Sequence, residues 1–302
     1  MVIPVGKGMP VRSQRVFCIT HEPPLVPRHL YQHSIGIGDY RPADGTHIIE
    51  LDQFWHDARP LSYGAAGNYV IPQAVERTGI KAELTGVFSH RKVIVRHSAG
   101  RPAAKYPVYR EISVPAAAEV RAEDTHPRER HDFLIGAPIQ FSQGVILQYA
   151  QMHHAIDLFD YVSIAIELKI LSAQDVREFT LETWFIPGGC ELGIYPTDWL
   201  VGSLRKLEAI GREFITRRAN RIRTYDHYQV RAVGFLAERL GSYFLLKELR
   251  QRYPQGFPRD LLGSLCVILP EGSSYSGATA DDRTAQPLNI PSPSGRADAQ
   301  RS

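Results

Sequence analysis

The most chemically loaded stretch of the sequence is YAQMHHAID, residues 149–157, which places His153, His154 and Asp157 close together. On a helix His153 and Asp157 stand four residues apart on one face, where a carboxylate orients an imidazole for proton transfer. The same spacing also fits a purely structural His–Asp bond near a helix end. As metal ligands these residues lack a third histidine at a recognisable spacing, so no metal is assigned to them. Glu83 and His90 form a second pair if 80–92 is helical, as the apolar stripe Leu84 and Phe88 suggests; the alternative is a solvated polar face. Arg231, Glu238 and Arg239 interrupt an otherwise apolar helix. Such charges are either paired inside the fold or aimed at an anionic ligand. A basic run, 205–223, is either a solvated face or a contact for anionic lipid headgroups.

These groups need a frame. RVFCIT (15–20) reads as a buried strand closed by His21-Glu22-Pro23-Pro24, since consecutive prolines end ladder pairing. A second strand is expected at 46–51, a glycine-punctuated loop at 62–72, and a helix at 80–92. From 93 to 130 no period is sustained, which predicts a strand or a mobile flap within a long connection. DFLIGA (132–137) reads as a strand, followed by a helix capped by Ser142 whose stripe is Val145, Tyr149, Met152 and Ile156. The run 162–171 is helical by composition. WFI (184–186) precedes the turn PGG (187–189), and helices are expected at 197–214 and 228–253. Strands in the first half and helices in the second predict an α/β sheet domain with a helical C-terminal half. Ligands in such folds sit beyond the strands' carboxyl ends.

With 302 residues, 43% of them hydrophobic and 22% charged, the chain excludes collagen-like, coiled-coil and wholly disordered classes. Its domain is expected over 15–270, with an N-terminal extension (1–14) and a disordered tail (271–302) too poor in aliphatic residues to form a core. Cys18, Cys190 and Cys266 are far apart and odd in number, which argues against a disulfide framework. No apolar run is long enough to span a bilayer and no signal-peptide core is present, so a cytoplasmic protein is expected, with peripheral membrane contact through 205–223. A net charge of +3 does not argue for nucleic acid. Arginine supplies 28 of the 35 basic residues, a bias that suits bidentate phosphate recognition and also follows from genome composition.

No phosphate-loop, dinucleotide, zincin or nucleophile-elbow motif occurs. Nor does a D-x-D follow any apolar strand, so an anionic ligand is expected to meet arginines and backbone donors rather than a carboxylate-held cation.

Taken in order, several segments resemble a bacterial family of glycosyltransferases defined by a domain of unknown function and found in capsule and exopolysaccharide gene clusters. They are CITHEPP (18–24), YQHSIGIG (31–38), AELTGVFSHRK (82–92), HDFLIGAPIQFSQGVILQYAQMHHAID (131–157), WFIPGGCELGIYPTDWL (184–200) and RAVGFLAERL (231–240). The resemblance implies a GT-A-like, Rossmann-like nucleotide-sugar-binding sheet domain that moves a sugar from a nucleotide-sugar donor to a cell-surface polysaccharide or lipid-linked acceptor. It places His21, Gly36, Arg91, Arg231 and Arg239 toward the donor, with His153, Asp157 or Glu83 as the base. Two family features are absent where expected: a strand ending His-Tyr-Arg-Arg-Tyr-Phe after a Glu-Leu-Thr helix, and an Asp-Asn loop before that helix. Two other readings stay open, a non-catalytic binding protein on a decayed scaffold and a small hydrolase using His153 and Asp157.

Overall fold

A computed structural model describes residues 12–79, 81–128 and 131–275, together with the backbone of 285–286. The strand expected at 15–20 is β1 (Gln14–Thr20). Its residues alternate between two cores: Phe17 and Ile19 face one cluster, Val16 and Cys18 the other. That alternation, with both faces covered, is what a central strand of a parallel sheet requires. β1 lies between β2 (His33–Gly36) and β4 (Leu84–Ser89), parallel to both, and β3 (Gly45–His47) extends the sheet beyond β2. Past β4 the sheet becomes mixed. β5 (Lys92–Val95) turns back from β4, β12 (Leu262–Leu269) runs antiparallel to β5, and β7 (Tyr109–Ser113) runs parallel to β12 with the two-residue β6 (Arg101–Pro102) at its edge. β11 (Gly193–Pro196) pairs antiparallel with β4 on a separate branch. β8 (Ile135–Gly136) joins β12, while β9 (Ile139–Phe141) and β10 (Trp184–Phe185) form a small second sheet.

One face of the sheet is covered by helices. α1 (Gln53–Asp57), α2 (Arg59–Ser62), α3 (Ala65–Tyr69) and α4 (Ile71–Thr78) follow β3. The small α5 (Val114–Ala118) covers the opposite face. α6 (Val145–Met152), α7 (Ala155–Glu167), α8 (Ala173–Leu181), α9 (Thr197–Ile222) and α10 (Ala232–Arg252) supply the helical C-terminal half. The mixed α/β class expected from the order of elements is the one found.

Several local expectations are corrected. Residues 80–92 are not a helix: Leu84–Ser89 is a strand and the chain reverses at His90-Arg91, because LTGVF is buried on both faces of the sheet. The glycine-rich 62–72 is helical. Gly67 serves close approach rather than a loop, since a Cβ there would stand 2.3 Å from Ile19 Cγ2 where α3 crosses β1. Strand β3 covers only the start of 46–51, the remainder being a 3-10 turn. The helix from 145 breaks at His153-His154, and its N-cap is Gly144, not Ser142. β12, which sequence reading passed over, is a buried apolar run that closes the sheet. At the tail boundary, Tyr275 packs beside Tyr106 and Tyr109 while its N–H donates to Glu111 Oε1 at 2.7 Å. Ala285–Gln286 pairs with β9; the rest of the expected tail, and most of the N-terminal extension, lie outside the described residues.

Candidate functional site

The parallel register sets β1 Ile19 beside β4 Ser89, so the residues after both strands emerge at one edge. Beyond that edge lies a cavity of about 650 Å³. Its walls are the ends of β1 and β4 (His21, His90, Arg91, Lys92), α2 and α3 (Arg59, Asn68), the end of α6 (Gln148, His153), the start of α10 (Arg231, Glu238, Arg239), Glu191, and Tyr275. The volume suits a ligand of nucleotide size.

Charge is the cavity's distinctive property. Five permanent cations, Arg59, Arg91, Lys92, Arg231 and Arg239, face two carboxylates, Glu191 and Glu238, so the walls call for an anion. The Nε atoms of Arg59 and Arg91 are buried without a hydrogen-bond partner. So is Oδ1 of Asn68, a side chain 5% exposed. Buried polar atoms rarely go unpaired, and a bound ligand is an ordinary remedy. Aromatic rings hold the cations in place: Arg59 lies over Tyr63 at 5.2 Å, Arg91 over Tyr275 at 5.7 Å, and Arg231 over Tyr228 at 4.8 Å. Arg239 donates through Nε to Gln148 Oε1 at 2.9 Å.

The two carboxylates come from the PGG turn and α10. Gly188 and Gly189 have φ of +85° and +46°, and a Cβ on Gly189 would stand 2.7 Å from the Glu238 carbonyl oxygen, so the turn needs glycine to seat against α10. The turn is tied down by Gly188 N–H donating to Glu238 Oε1 at 2.9 Å, Ile186 N–H to Ser242 Oγ at 2.8 Å, and Tyr195 OH to Gly189 O at 2.6 Å. Glu191 is thereby fixed near Glu238. Burial, with repulsion from Glu238 and partial relief from Lys92, raises its carboxyl pKa well above the usual range. Burial disfavours the Lys92 ammonium, but Tyr109, Tyr275 and Glu238 outweigh it and keep the lysine charged.

The structure gathers five of the expected residues at this cavity: His21, Arg91, Arg231, Arg239 and His153. The others lie elsewhere. Gly36 ends β2 behind the wall, its missing Cβ replaced by Tyr40 O and Pro42. Glu83 precedes β4 at the opposite, amino-terminal edge, where its Oε2 accepts from Ser13 N–H at 3.0 Å. Asp157 is buried beneath α9, paired with Arg221 at 2.6 Å and Tyr225 OH at 3.1 Å. Because the helix breaks between them, His153 and Asp157 form no pair. The ring of His153 packs against Phe235 and Tyr149, with Nδ1 at 3.0 Å from Gln229 Oε1. Burial, then the charge of Arg239, pushes its pKa down to about 3, so it is a neutral and weakly basic imidazole. Sequence reading missed Arg59, Asn68, Lys92 and Glu191; only Glu191 carried a signal, its place just after the PGG turn.

The basic run 205–223 is also accounted for. Arg205 pairs with Glu76, Arg212 with Asp52 and Glu208, Arg217 with Glu167 and Glu213, Arg218 with Asp160, and Arg221 with Asp157 and Asp160. Those arginines lace helices together, while Lys206 and Arg223 of the same run have no carboxylate partner among the described residues. Among the described residues no helix is long and apolar enough to cross a membrane.

No family model matches the chain, and no curated protein does. Among solved structures, the apo form of WbbM, a bifunctional glycosyltransferase, matches with a TM-score of 0.62 at 12% identity. The match covers 89% of this chain and 47% of that one, so the chain spans about half the length of its structural neighbour. The fold is therefore a GT-A-like α/β fold of the kind a glycosyltransferase uses. After α4, β4 ends at Ser89, and the following His90, Arg91 and Lys92 line the cavity.

Proposed function

We propose that this protein transfers a sugar from a nucleotide-sugar donor to a glycan or lipid-linked acceptor of the cell-surface polysaccharide kind. The observation that carries the reading is the electropositive cavity at the carboxyl edge of the parallel strands, where Arg59, Arg91 and Arg231 have no carboxylate partner among the described residues. A nucleoside diphosphate is an anion of the right size for that space, and Arg59, Arg91 and Arg231 are the groups to receive its phosphates. Asn68 offers a buried acceptor to a base N–H or a sugar hydroxyl.

In the reaction an acceptor hydroxyl attacks the anomeric carbon as the bond to the diphosphate breaks. Negative charge grows on the leaving group, where fixed guanidinium groups stabilise it. The hydroxyl proton goes to a carboxylate, and Glu191 is the better base: it lines the cavity and burial makes its carboxylate more basic, whereas the pKa of His153 is pushed down to about 3. The test is incubation with a panel of nucleotide sugars and oligosaccharide or lipid-linked acceptors. Nucleoside diphosphate released only when acceptor is present supports the reading; tight donor binding with no release under any acceptor leaves a binding protein instead.

A further inference from the structure

We infer that His21, Glu22 and His90 form a binding site for one divalent transition-metal ion at the mouth of the cavity, a role that no metal motif in the sequence announces. Their ligand atoms, one from each side chain, all lie within 4.8 Å of one another. Glu22 Oε1 stands 3.7 Å from His21 Nε2 and 3.5 Å from His90 Nε2. Two ligands each about 2.1 Å from a tetrahedral ion are about 3.4 Å apart, so both carboxylate–imidazole spacings match with little movement. The two imidazoles meet edge to face with centroids 4.6 Å apart.

The backbone prepares this arrangement. His21 and His90 follow neighbouring parallel strands whose register aligns Ile19 with Ser89. The His90 carbonyl accepts from Leu25 N–H at 2.7 Å and Val26 N–H at 3.1 Å, which staples the loop after Glu22 to the end of β4. Thr20 Oγ1 donates to the Glu22 carbonyl, fixing the turn that carries the carboxylate. The site is open as well as built: His21 and Glu22 side chains are 41% and 55% exposed, while His90 is 18% exposed. Two imidazoles and one carboxylate suit Zn²⁺, Co²⁺, Mn²⁺ or Fe²⁺ rather than Mg²⁺ or Ca²⁺, and they leave coordination positions free. Those positions adjoin the cavity, because His21, His90 and the next residue, Arg91, all line it. An ion there would share a phosphate oxygen with Arg91. Ion binding stands on the three side chains alone; only this role beside the diphosphate rests on the transfer reading above.

The experiment uses untagged, full-length protein stripped of metal and titrated with Co²⁺ alone, read by visible absorption and by calorimetry. One equivalent is expected to bind. His21→Ala and Glu22→Gln, both at exposed side chains, should each weaken binding at least about tenfold. His227→Ala, an exposed histidine elsewhere, should not change it. Absence of binding to the wild type, or equal binding by wild type, His21→Ala and Glu22→Gln, overturns the site. The second arm titrates UDP with and without Co²⁺. Tighter UDP binding with Co²⁺, lost in Glu22→Gln, supports the shared phosphate. Co²⁺ binding with UDP affinity unchanged by the ion upholds the metal site and removes its role beside the diphosphate, leaving the transfer reading to its own test.

Discussion

The interface of α7 with α9 and the cavity at the strand ends are built from the same side chains, arginines and carboxylates, in opposite ways. Between the helices each guanidinium meets a carboxylate: Asp157 and Asp160 hold Arg221 at 2.6 Å, and Asp160 also takes Arg218 at 2.8 Å, although Arg221 Nε donates and Asp157 Oδ2 accepts no hydrogen bond. Burial raises the Asp157 pKa, and Arg221 and Tyr225 act against it without cancelling it. Around the cavity the cations lean on aromatic faces, and no carboxylate among the described residues pairs with Arg59, Arg91 or Arg231. Charge that is consumed holds the fold together. Charge left open to a void awaits a ligand.

If that division is right, substitutions on the two sides should separate activity from stability. The largest effect is expected at Glu191: Glu191→Gln should lower turnover about 10²- to 10⁴-fold, the usual worth of a general base, with donor affinity little changed. In the wild type kcat/KM should rise with pH through an apparent pKa above the ordinary carboxylate range, because the base must lose a proton that burial helps it keep. A flat pH profile together with an active Glu191→Gln enzyme would move the base elsewhere.

Next in size comes the closed region. Asp157→Asn removes a buried charge from Arg221 and Tyr225 and should lower unfolding free energy by about 2 kcal/mol, measured by denaturant melts. Turnover of the folded fraction should be unchanged. Loss of activity without loss of stability would restore Asp157 as a working group.

Stability is also expected to depend on pH. His153 is held near pKa 3 in the folded state against about 6.5 unfolded, so the unfolded chain binds more protons between those values. Stability should therefore rise with pH across that window and be lost as pH falls, at up to about 1.4 kcal/mol per pH unit. His90, pushed down to about 4 by burial and by His21, adds a slope of the same sign above pH 4. His153→Gln should flatten the curve; an unaltered slope would contradict the buried, neutral imidazole. The smallest expected effect is at membranes. With the arginines of α9 paired, sedimentation with anionic vesicles should barely exceed that with neutral ones, and a strong salt-sensitive excess would show those pairs to be loose.

How much of this was legible in the sequence follows the same line. β1, α9 and α10 were readable because their apolar spacing is set by the core they cover. Residues 80–92 misled because Leu84 and Phe88 are four apart, which fits one helical face as well as one face of a strand. Only the sheet decides between them. His153 and Asp157 misled for a related reason: spacing carries meaning only along an unbroken helix, and the break at His153-His154 separates them. At the cavity, Arg231 and Arg239 were found because charge on an apolar element is conspicuous, and Arg91 only through the family resemblance. Arg59 and Lys92 were not, since each belongs to a short segment that acquires its meaning when β1, α2 and β4 converge.

The central claim is that the unpaired cations await a nucleotide sugar, and calorimetric titration tests it most directly. A panel of nucleotide sugars and free diphosphates is titrated into wild type, Arg59→Gln and Arg91→Gln. At least one nucleotide sugar should bind the wild type, and each substitution should weaken it about 10- to 100-fold, the worth of one or two charge-assisted hydrogen bonds. Melting temperatures without ligand should stay level or rise, since a buried unpaired nitrogen is lost. Failure of every nucleotide sugar to bind, or equal binding by all three proteins, would contradict the account.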